Sequence, residues 1–278
     1  TGRVQTFIEL KEGSNEIILT NPVVTNADSS FIQYRRMGNA LKEASKKAAI
    51  EKGMREKPIV FSICEWGMAF PWHWGSKAGN MWRTTPDISA NWKSIHMLYS
   101  HNIRLYKHAG PGAWNDPDML EVGNGKLTDN ENKTHFSLWC MMAAPLILGN
   151  DVRLLVGSDG APIENHPILK TVTNKNLIAI DQDKLGKQAK RLKKIRGIDI
   201  IGRPLENGDI AVCFYNPSSH VKGMSVDLND ILGDEYLDFP QEQSYQLHEL
   251  WSDEHFNART VSASLQKHEC RVYRISRQ

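Results

Sequence analysis

Apolar positions in the first two thirds of the chain recur with two different periods. Tyr34, Met37, Leu41 and Ala44 come at helical spacing with charges between them, which predicts one long helix capped by Ser29 or Ser30 and stopped by Gly53. Pro58 then opens the first of three short apolar or aromatic stretches: IVFSICEWG (59–67), GNMWRTTPDI (79–88) and AGPGAWNDPDML (109–120). Each is rich in turn formers and reaches an acid, Glu65, Asp87 and Asp118 in turn. Ile88, Trp92, Ile95 and Tyr99 share a helical face, which predicts a helix directly after the second stretch. Thr128 and Glu131 read as a capping box ahead of a helix in ENKTHFSLWCMM. Pro145 ends that helix and starts a further strand, PLILG, and another helix is expected around 164–173, ahead of the apolar run LIAI. Strand, helix, strand between 59 and 150 argues for a parallel sheet covered by helices. In such a sheet each of the three carboxylates sits at a C-terminal strand edge, where α/β folds keep their ligand sites.

Beyond about Gln188 the period changes to that of short alternating strands. IDIIGRPL and DIAVCFYN flank Asn207-Gly208, a strong local hairpin signal, and MSVDL, YQLHELW, TVSASL and CRVYRIS follow without a long helix. Residues 188–278 are therefore expected to form an antiparallel β domain. Residues 1–27 alternate only modestly around Gly13, Asn21 and Pro22, which suggests a hairpin-like excursion or a loop.

Composition narrows the classes of function. With 278 residues, 40% hydrophobic and 24% charged, the chain suits one or two globular domains, and its net charge of +2 gives no electrostatic reason to expect a nucleic-acid or membrane partner. The basic run from Lys184 to Arg196 lacks interleaved aromatics and reads as a solvated strand or linker. The four cysteines are widely spaced in apolar runs, which signals buried thiols and neither a zinc site nor a redox pair. Phe136 to Leu148 is too short to span a bilayer and contains Pro145. Thr1 to Leu10 carries no long apolar segment of the secretory kind, as a mature or truncated N-terminus would not. GxSxG, HExxH and Walker patterns do not occur, VGNGKLT lacks the third glycine of a dinucleotide fingerprint, and the ten histidines show no metal-ligand spacing. No metal and no cofactor are expected.

Several acids at one sheet edge, with Arg83 four residues before Asp87 and Trp66, Trp72, Trp74, Trp82, Trp92 and Trp114 close by, suit a carbohydrate site. Carboxylates accept pairs of sugar hydroxyl hydrogen bonds, and indole faces cover the apolar side of a pyranose. Glycoside cleavage wants two carboxyl groups, one as acid and one as nucleophile or base. On spacing alone, the alternative that the acids are caps and surface charges and the tryptophans are core stays open.

The strings SICEWG, MWRTTPDI, GPGAWNDPDMLEVGNG, HFSLWCMMAAPLILGND and LIAIDQDKLGKQ resemble the α-galactosidase and α-N-acetylgalactosaminidase family of retaining glycosidases, glycoside hydrolase family 27. The likeness covers residues 30–215 well and the rest loosely. It implies a (β/α)8 TIM barrel followed by an antiparallel β-sandwich. It also implies that Asp87 is the general acid/base, that Arg83 contacts galactose hydroxyls and holds that acid, and that Glu65 accepts from the sugar 2-hydroxyl. Trp66, Asp118 and Met119 would line the site. Family members that prefer N-acetylgalactosamine carry a small residue at the position of Glu65, so a full glutamate implies galactose.

One departure is large. The family's nucleophile is the aspartate of a KYDNC-like motif on strand four, and no such string occurs here. Strands one to three, with their sugar-holding residues, have no counterpart either. A barrel needs about 250 residues, so residues 1–187 are expected to hold its C-terminal half, strands five to eight, with 1–58 an insertion plus a helix before strand five. The expected partners are an α-galactoside substrate, a complementary N-terminal half of the barrel and, as an open alternative, a second copy in a homo-oligomer. The open alternatives of function are an α-N-acetylgalactosaminidase, a β-L-arabinopyranosidase and a non-catalytic carbohydrate-binding fragment. Asn132-Lys133-Thr134 is a glycosylation sequon inside an expected helix. Gly79 stands where secreted relatives carry the disulfide partner of Cys64, which leans toward a bacterial cytoplasmic protein or a secreted one without that bridge.

Overall fold

The computed structural model describes residues 26–277, so the hairpin or loop expected before residue 26 lies outside the described residues. Helix α1 (Asn26–Glu51) ends where expected. Gly53 adopts φ +56°, and Met54 N donates to Ala49 O at 2.9 Å, the left-handed stop that glycine makes cheaply. Phe31, Tyr34, Gly38, Leu41 and Ser45 form its inward stripe, and a Cβ at Gly38 would collide with the carbonyl oxygen of Ala78. Met37 and Ala44, expected on that stripe, are exposed. Each lies one residue off it, a rotation of about 100°.

Strands β1 (Ser62–Ile63), β2 (Met81–Arg83) and β3 (Trp114–Asp116) form a parallel sheet in that order, pairing Ile63 with Trp82 and Trp82 with Asn115. The strand expected at PLILG is reduced to one parallel bridge, Leu120 to Leu148. Ile147 N turns back onto Pro145 O at 3.0 Å, which removes a donor that a longer ladder would use.

Helix α2 (Trp92–Asn102) does not follow β2 directly. Asn91 is extended and its side chain accepts from Ser94 N at 3.0 Å, so this cap starts the helix and leaves Ile88 in the preceding loop. Helix α3 (Asp129–Met141) has the expected capping box: Thr128 Oγ1 accepts from Glu131 N at 3.3 Å, and Glu131 Oε2 accepts from Thr128 N at 2.8 Å. From Glu131 to Met141 only Lys133 is exposed. Asn132 is buried and its amide holds Gly123 N and Leu127 O, so the sequon is closed to glycosylation in the folded chain. Helices α4 (Pro167–Val172) and α5 (Lys175–Asp181) follow, the latter taking up LIAI.

The remainder is antiparallel, as its alternation predicts. Its strands are β4 (Lys190–Ile195), β5 (Ile198–Pro204), β6 (Ile210–Tyr215), β7 (Lys222–Asp227), β8 (Tyr245–Glu249), β9 (His255–Ala258), β10 (Thr260–Leu265) and β11 (Cys270–Ser276). Six of them form one sheet, β4-β5-β6-β11-β8-β9, and β10 pairs with β7. One face of the large sheet buries Ile200, Val212 and Phe214 against Met224, Val226 and Val261 of the ribbon. Its other face buries Ile201, Cys213 and Val272 with Ile95, Leu98, Phe136 and Leu177 of the helices. Because both faces are covered, β5 and β6 are buried at every position; β6 is accordingly a continuous apolar run, whereas β5 buries Asp199 and Arg203 with partners, Arg191 for the first and the carbonyl of Cys140 for the second. The basic run becomes the edge strand β4, where charges discourage further pairing, and Arg191 bridges buried Asp199 at 2.8 Å. All four cysteines are free; Cys64, just past the end of β1, is exposed, against expectation, while Cys140, Cys213 and Cys270 are buried. Among the described residues no helix is long and apolar enough to cross a membrane.

Candidate active site

The three acid-tipped stretches leave the parallel sheet at one edge. Glu65 lies two residues past β1, Asp87 four past β2 and Asp118 two past β3. Arg83 closes β2 and reaches across this edge. Its Nη2 lies 3.0 Å from Asp87 Oδ1 and 2.8 Å from Asp118 Oδ2. The environments differ sharply: the side chains of Arg83 and Asp118 are 10% and 8% exposed, whereas that of Asp87 is 68% exposed. A buried guanidinium thus holds one carboxylate inside the protein and presents the other to solvent.

Asp118 is over-determined. Its φ of +87° is rare for a residue with a Cβ and is held by contacts on every side. Its Oδ1 accepts from Met119 N at 2.8 Å, its Oδ2 from Ile88 N at 2.7 Å, and its carbonyl from Trp139 Nε1 at 2.8 Å. The bond to Ile88 N ties the segment that carries Asp87 to the segment after β3. Met119 is partly exposed beside it and lies over Gly149, where a Cβ would come within 2.6 Å of its Sδ.

Glu65 is brought to the same edge without bonding to this trio. Its Oε2 accepts from Ala69 N at 2.6 Å, and its Oε1 is buried with no partner among the described residues. Burial pushes its carboxyl up, partly offset by the Ala69 N–H. Trp66 and Gly67 both adopt positive φ, and a Cβ at Gly67 would collide with the carbonyl oxygen of Thr84, so the loop after β1 is pressed onto the end of β2. Of the six tryptophans read as sugar platforms, Trp66 alone is exposed, at 50%. Trp82 is fully buried, Trp74 packs with Phe31 and Tyr34 of α1, Trp72 lies against Phe70 and His101, and Trp92 stacks on His268 of the β domain at 4.5 Å. Trp114, partly buried, begins β3 at the opposite end of the sheet from the acids. For most of them the core reading is therefore the right one.

Two functional-edge residues escape sequence reasoning. Asp116 is buried beneath Asp118 and its Oδ1 accepts from Asp118 N at 2.8 Å. Asn115 accepts from Trp82 Nε1 at 2.8 Å and donates to Leu105 O and Gln188 Oε1, both at 2.9 Å. The available signal was two consecutive polar residues in a strand expected to be internal, since buried polar groups need assigned partners.

Burial raises the Asp116 carboxyl to about 6, while the Asp118 N–H and the Arg83 charge pull it down. A folded value above the ordinary one means that the folded chain keeps a proton which the unfolded chain loses. The associated stability is complete below about pH 4 and is lost as pH rises through 6. Asp116→Asn should therefore gain on the native chain by on the order of 2–3 kcal/mol between these limits. Urea unfolding of both proteins at the two pH values checks this, and an unchanged difference would assign the titration elsewhere.

A parallel sheet with acids at its carboxyl edge, joined to an antiparallel sandwich, places the chain among α/β proteins whose ligand sites lie at strand ends. Within that class it belongs to the α-galactosidase family, glycoside hydrolase family 27. Residues 27–183 match the family described as alpha galactosidase A, and residues 196–275 match the alpha galactosidase C-terminal beta sandwich domain. An alpha-galactosidase of Cyamopsis tetragonoloba is 36% identical over 229 residues, covering 82% of this chain and 51% of that protein. Alpha-galactosidase A of Cellvibrio japonicus is 36% identical over 250 residues, covering 84% and 59%. The crystal structure of alpha-galactosidase I from Mortierella vinacea superposes with a TM-score of 0.77 at 24% identity, covering 91% of this chain and 64% of that one, a likeness of fold. The chain spans about half the length of the curated relatives it matches.

Proposed function

We propose that this chain carries the proton-donating wall of a retaining glycosidase site that releases terminal α-linked galactose from oligosaccharides or glycoconjugates. The observation that supports the reading most directly is the Arg83 fork, which orients an exposed Asp87 against a buried Asp118 at the common strand edge. Asp87 serves as general acid/base: it protonates the leaving glycosidic oxygen and then takes the proton of the water that releases the sugar. Arg83, Asp118, Met119 and Trp66 form the galactose-facing surface, with Trp66 offering its exposed ring. The unpartnered Oε1 of Glu65 is an acceptor waiting for a donor, and the sugar 2-hydroxyl supplies one.

The nucleophile comes from a complementary N-terminal part of the barrel, so that residues 1–187 supply strands five to eight and residues 188–278 the sandwich. Exposed apolar side chains at both ends of the parallel sheet support this. Ile59 and Val60 lead into β1 at 47% and 72% exposure, and Ile147 and Leu148 stand at 46% and 40% at the far end. Open strand edges with apolar flanks are where further strands pair.

The test is hydrolysis of 4-nitrophenyl α-galactoside alongside intact mass. The chain at 31.5 kDa should be inactive, and a form that also contains the N-terminal half should turn over. Activity at the smaller mass would sink the missing-nucleophile reading. In the active form, Glu65→Ser should lower kcat/KM on the galactoside by roughly 10–100-fold, the worth of one charged hydrogen bond. The same change should raise activity on the N-acetylgalactosaminide, whose acetamide needs the vacated space. A parallel loss on both substrates would remove Glu65 from the role of specificity reader.

A further inference from the structure

A second constellation lies on the β domain, away from the acid edge. His248 on β8 and His255 on β9 are direct cross-strand partners, and their rings stack with centroids 4.0 Å apart and planes 12° from parallel. The turn between them brings back Asp253, whose φ is +62° and whose N donates to Glu249 O at 2.9 Å. Asp253 Oδ1 lies 2.6 Å from His248 Nε2 and accepts from Asn176 Nδ2 of α5 at 3.0 Å. One ligand atom from each of His248, Asp253 and His255 lies within 4.8 Å of the other two. In sequence the three are separated by four residues and then one, a spacing that signals nothing until the hairpin closes.

We propose that His248, Asp253 and His255 bind a divalent transition-metal ion, with Zn2+ the best match, and that the ion fastens the outer hairpin of the large sheet. Two imidazoles and one carboxylate are a donor set for Zn2+, Ni2+ or Cu2+, whereas Ca2+ and Mg2+ take oxygen ligands. Tetrahedral Zn2+ at its usual bond lengths holds its ligand atoms about 3.3 Å apart, leaving a fourth position for water. Reaching that spacing requires opening the short His248 to Asp253 contact and drawing in His255. Side-chain rotation suffices, because His255 is exposed and the Asp253 side chain is 71% exposed. Asn176 is the outer partner that keeps the carboxylate aimed at the site. Among the described residues β9 is an edge strand with a single neighbour, so an ion joining it to β8 and the turn would hold the margin of the sheet that those hydrogen bonds secure on one side only.

Calorimetric titration of the chelator-treated chain with ZnCl2 tests the proposal. The expected result is one saturable Zn2+ per chain and a rise in Tm on binding. His255→Ala should weaken that binding by more than the roughly tenfold that loss of an outer partner costs, and Asn176→Ala by about tenfold. His255 is exposed, so circular dichroism and the metal-free Tm of its variant should match the native chain. Asp253→Ala gives an independent variant in the same assay. Absence of saturable Zn2+ binding, or equal affinity in the native, His255→Ala and Asp253→Ala proteins, overturns the proposal.

Discussion

In the active form of the protein, Asp87→Asn is expected to lower kcat/KM for an α-galactoside with a sugar alcohol as leaving group by about 10²–10⁴-fold. An alkoxide leaves poorly without a proton, and Asp87 is the solvent-facing carboxylate of the Arg83 fork, with its side chain 68% exposed. The same substitution should cost much less on 4-nitrophenyl α-galactoside in kcat/KM, because that phenolate departs unprotonated and this ratio reports the first irreversible step. Turnover at saturation should still fall, since the proposed role also has Asp87 activate the water of the second step. Comparing the two substrates therefore separates a proton donor from a residue that merely shapes the site. An equal, small loss on both would assign the donor role elsewhere.

Arg83→Met should destabilise the chain by about 3–5 kcal/mol, the usual cost of leaving one partner of a buried ion pair alone. The loss falls on Asp118, whose side chain is 8% exposed and, among the described residues, keeps the Ile88 and Met119 N–H groups. The bond to Asp87 contributes little to that figure because its carboxylate is largely hydrated. Asp118→Asn added to Arg83→Met should recover part of the stability, since an uncharged side chain removes the orphaned charge. Chemical unfolding of the single and double variants measures both terms. A loss below about 1 kcal/mol for Arg83→Met would mean that water reaches Asp118 in its place.

Local periodicity and turn chemistry were enough to read the long first helix and its stop at Gly53, the Thr128 and Glu131 capping box, the parallel order of the three acid-tipped strands and the antiparallel character of the last ninety or so residues. These are properties of neighbouring residues: helix caps, glycine at positive φ, and alternation along one strand. Family membership was legible as well, in long strings such as GPGAWNDPDMLEVGNG. What the chain could not announce was decided by contacts distant in sequence. Three carboxylates that look equivalent in sequence became unequal because Arg83 binds Asp118 inside the protein and Asp87 at its surface, and because Glu65 turned to Ala69. Asp116 went unnoticed because its importance comes from desolvation, which no spacing reveals. Most of the tryptophans became core once α1 and the β domain covered them.

The metal-ligating set shows the division most plainly. His248 and His255 are ordinary alternating residues until strand pairing sets them face to face and the turn returns Asp253 to them. The sequence by itself determined most of the elements, though not the strand expected at PLILG, and the chemistry each carries to its end. The tertiary structure alone decided which of those side chains meet and which lose their water, because both depend on register and burial between segments far apart in the chain.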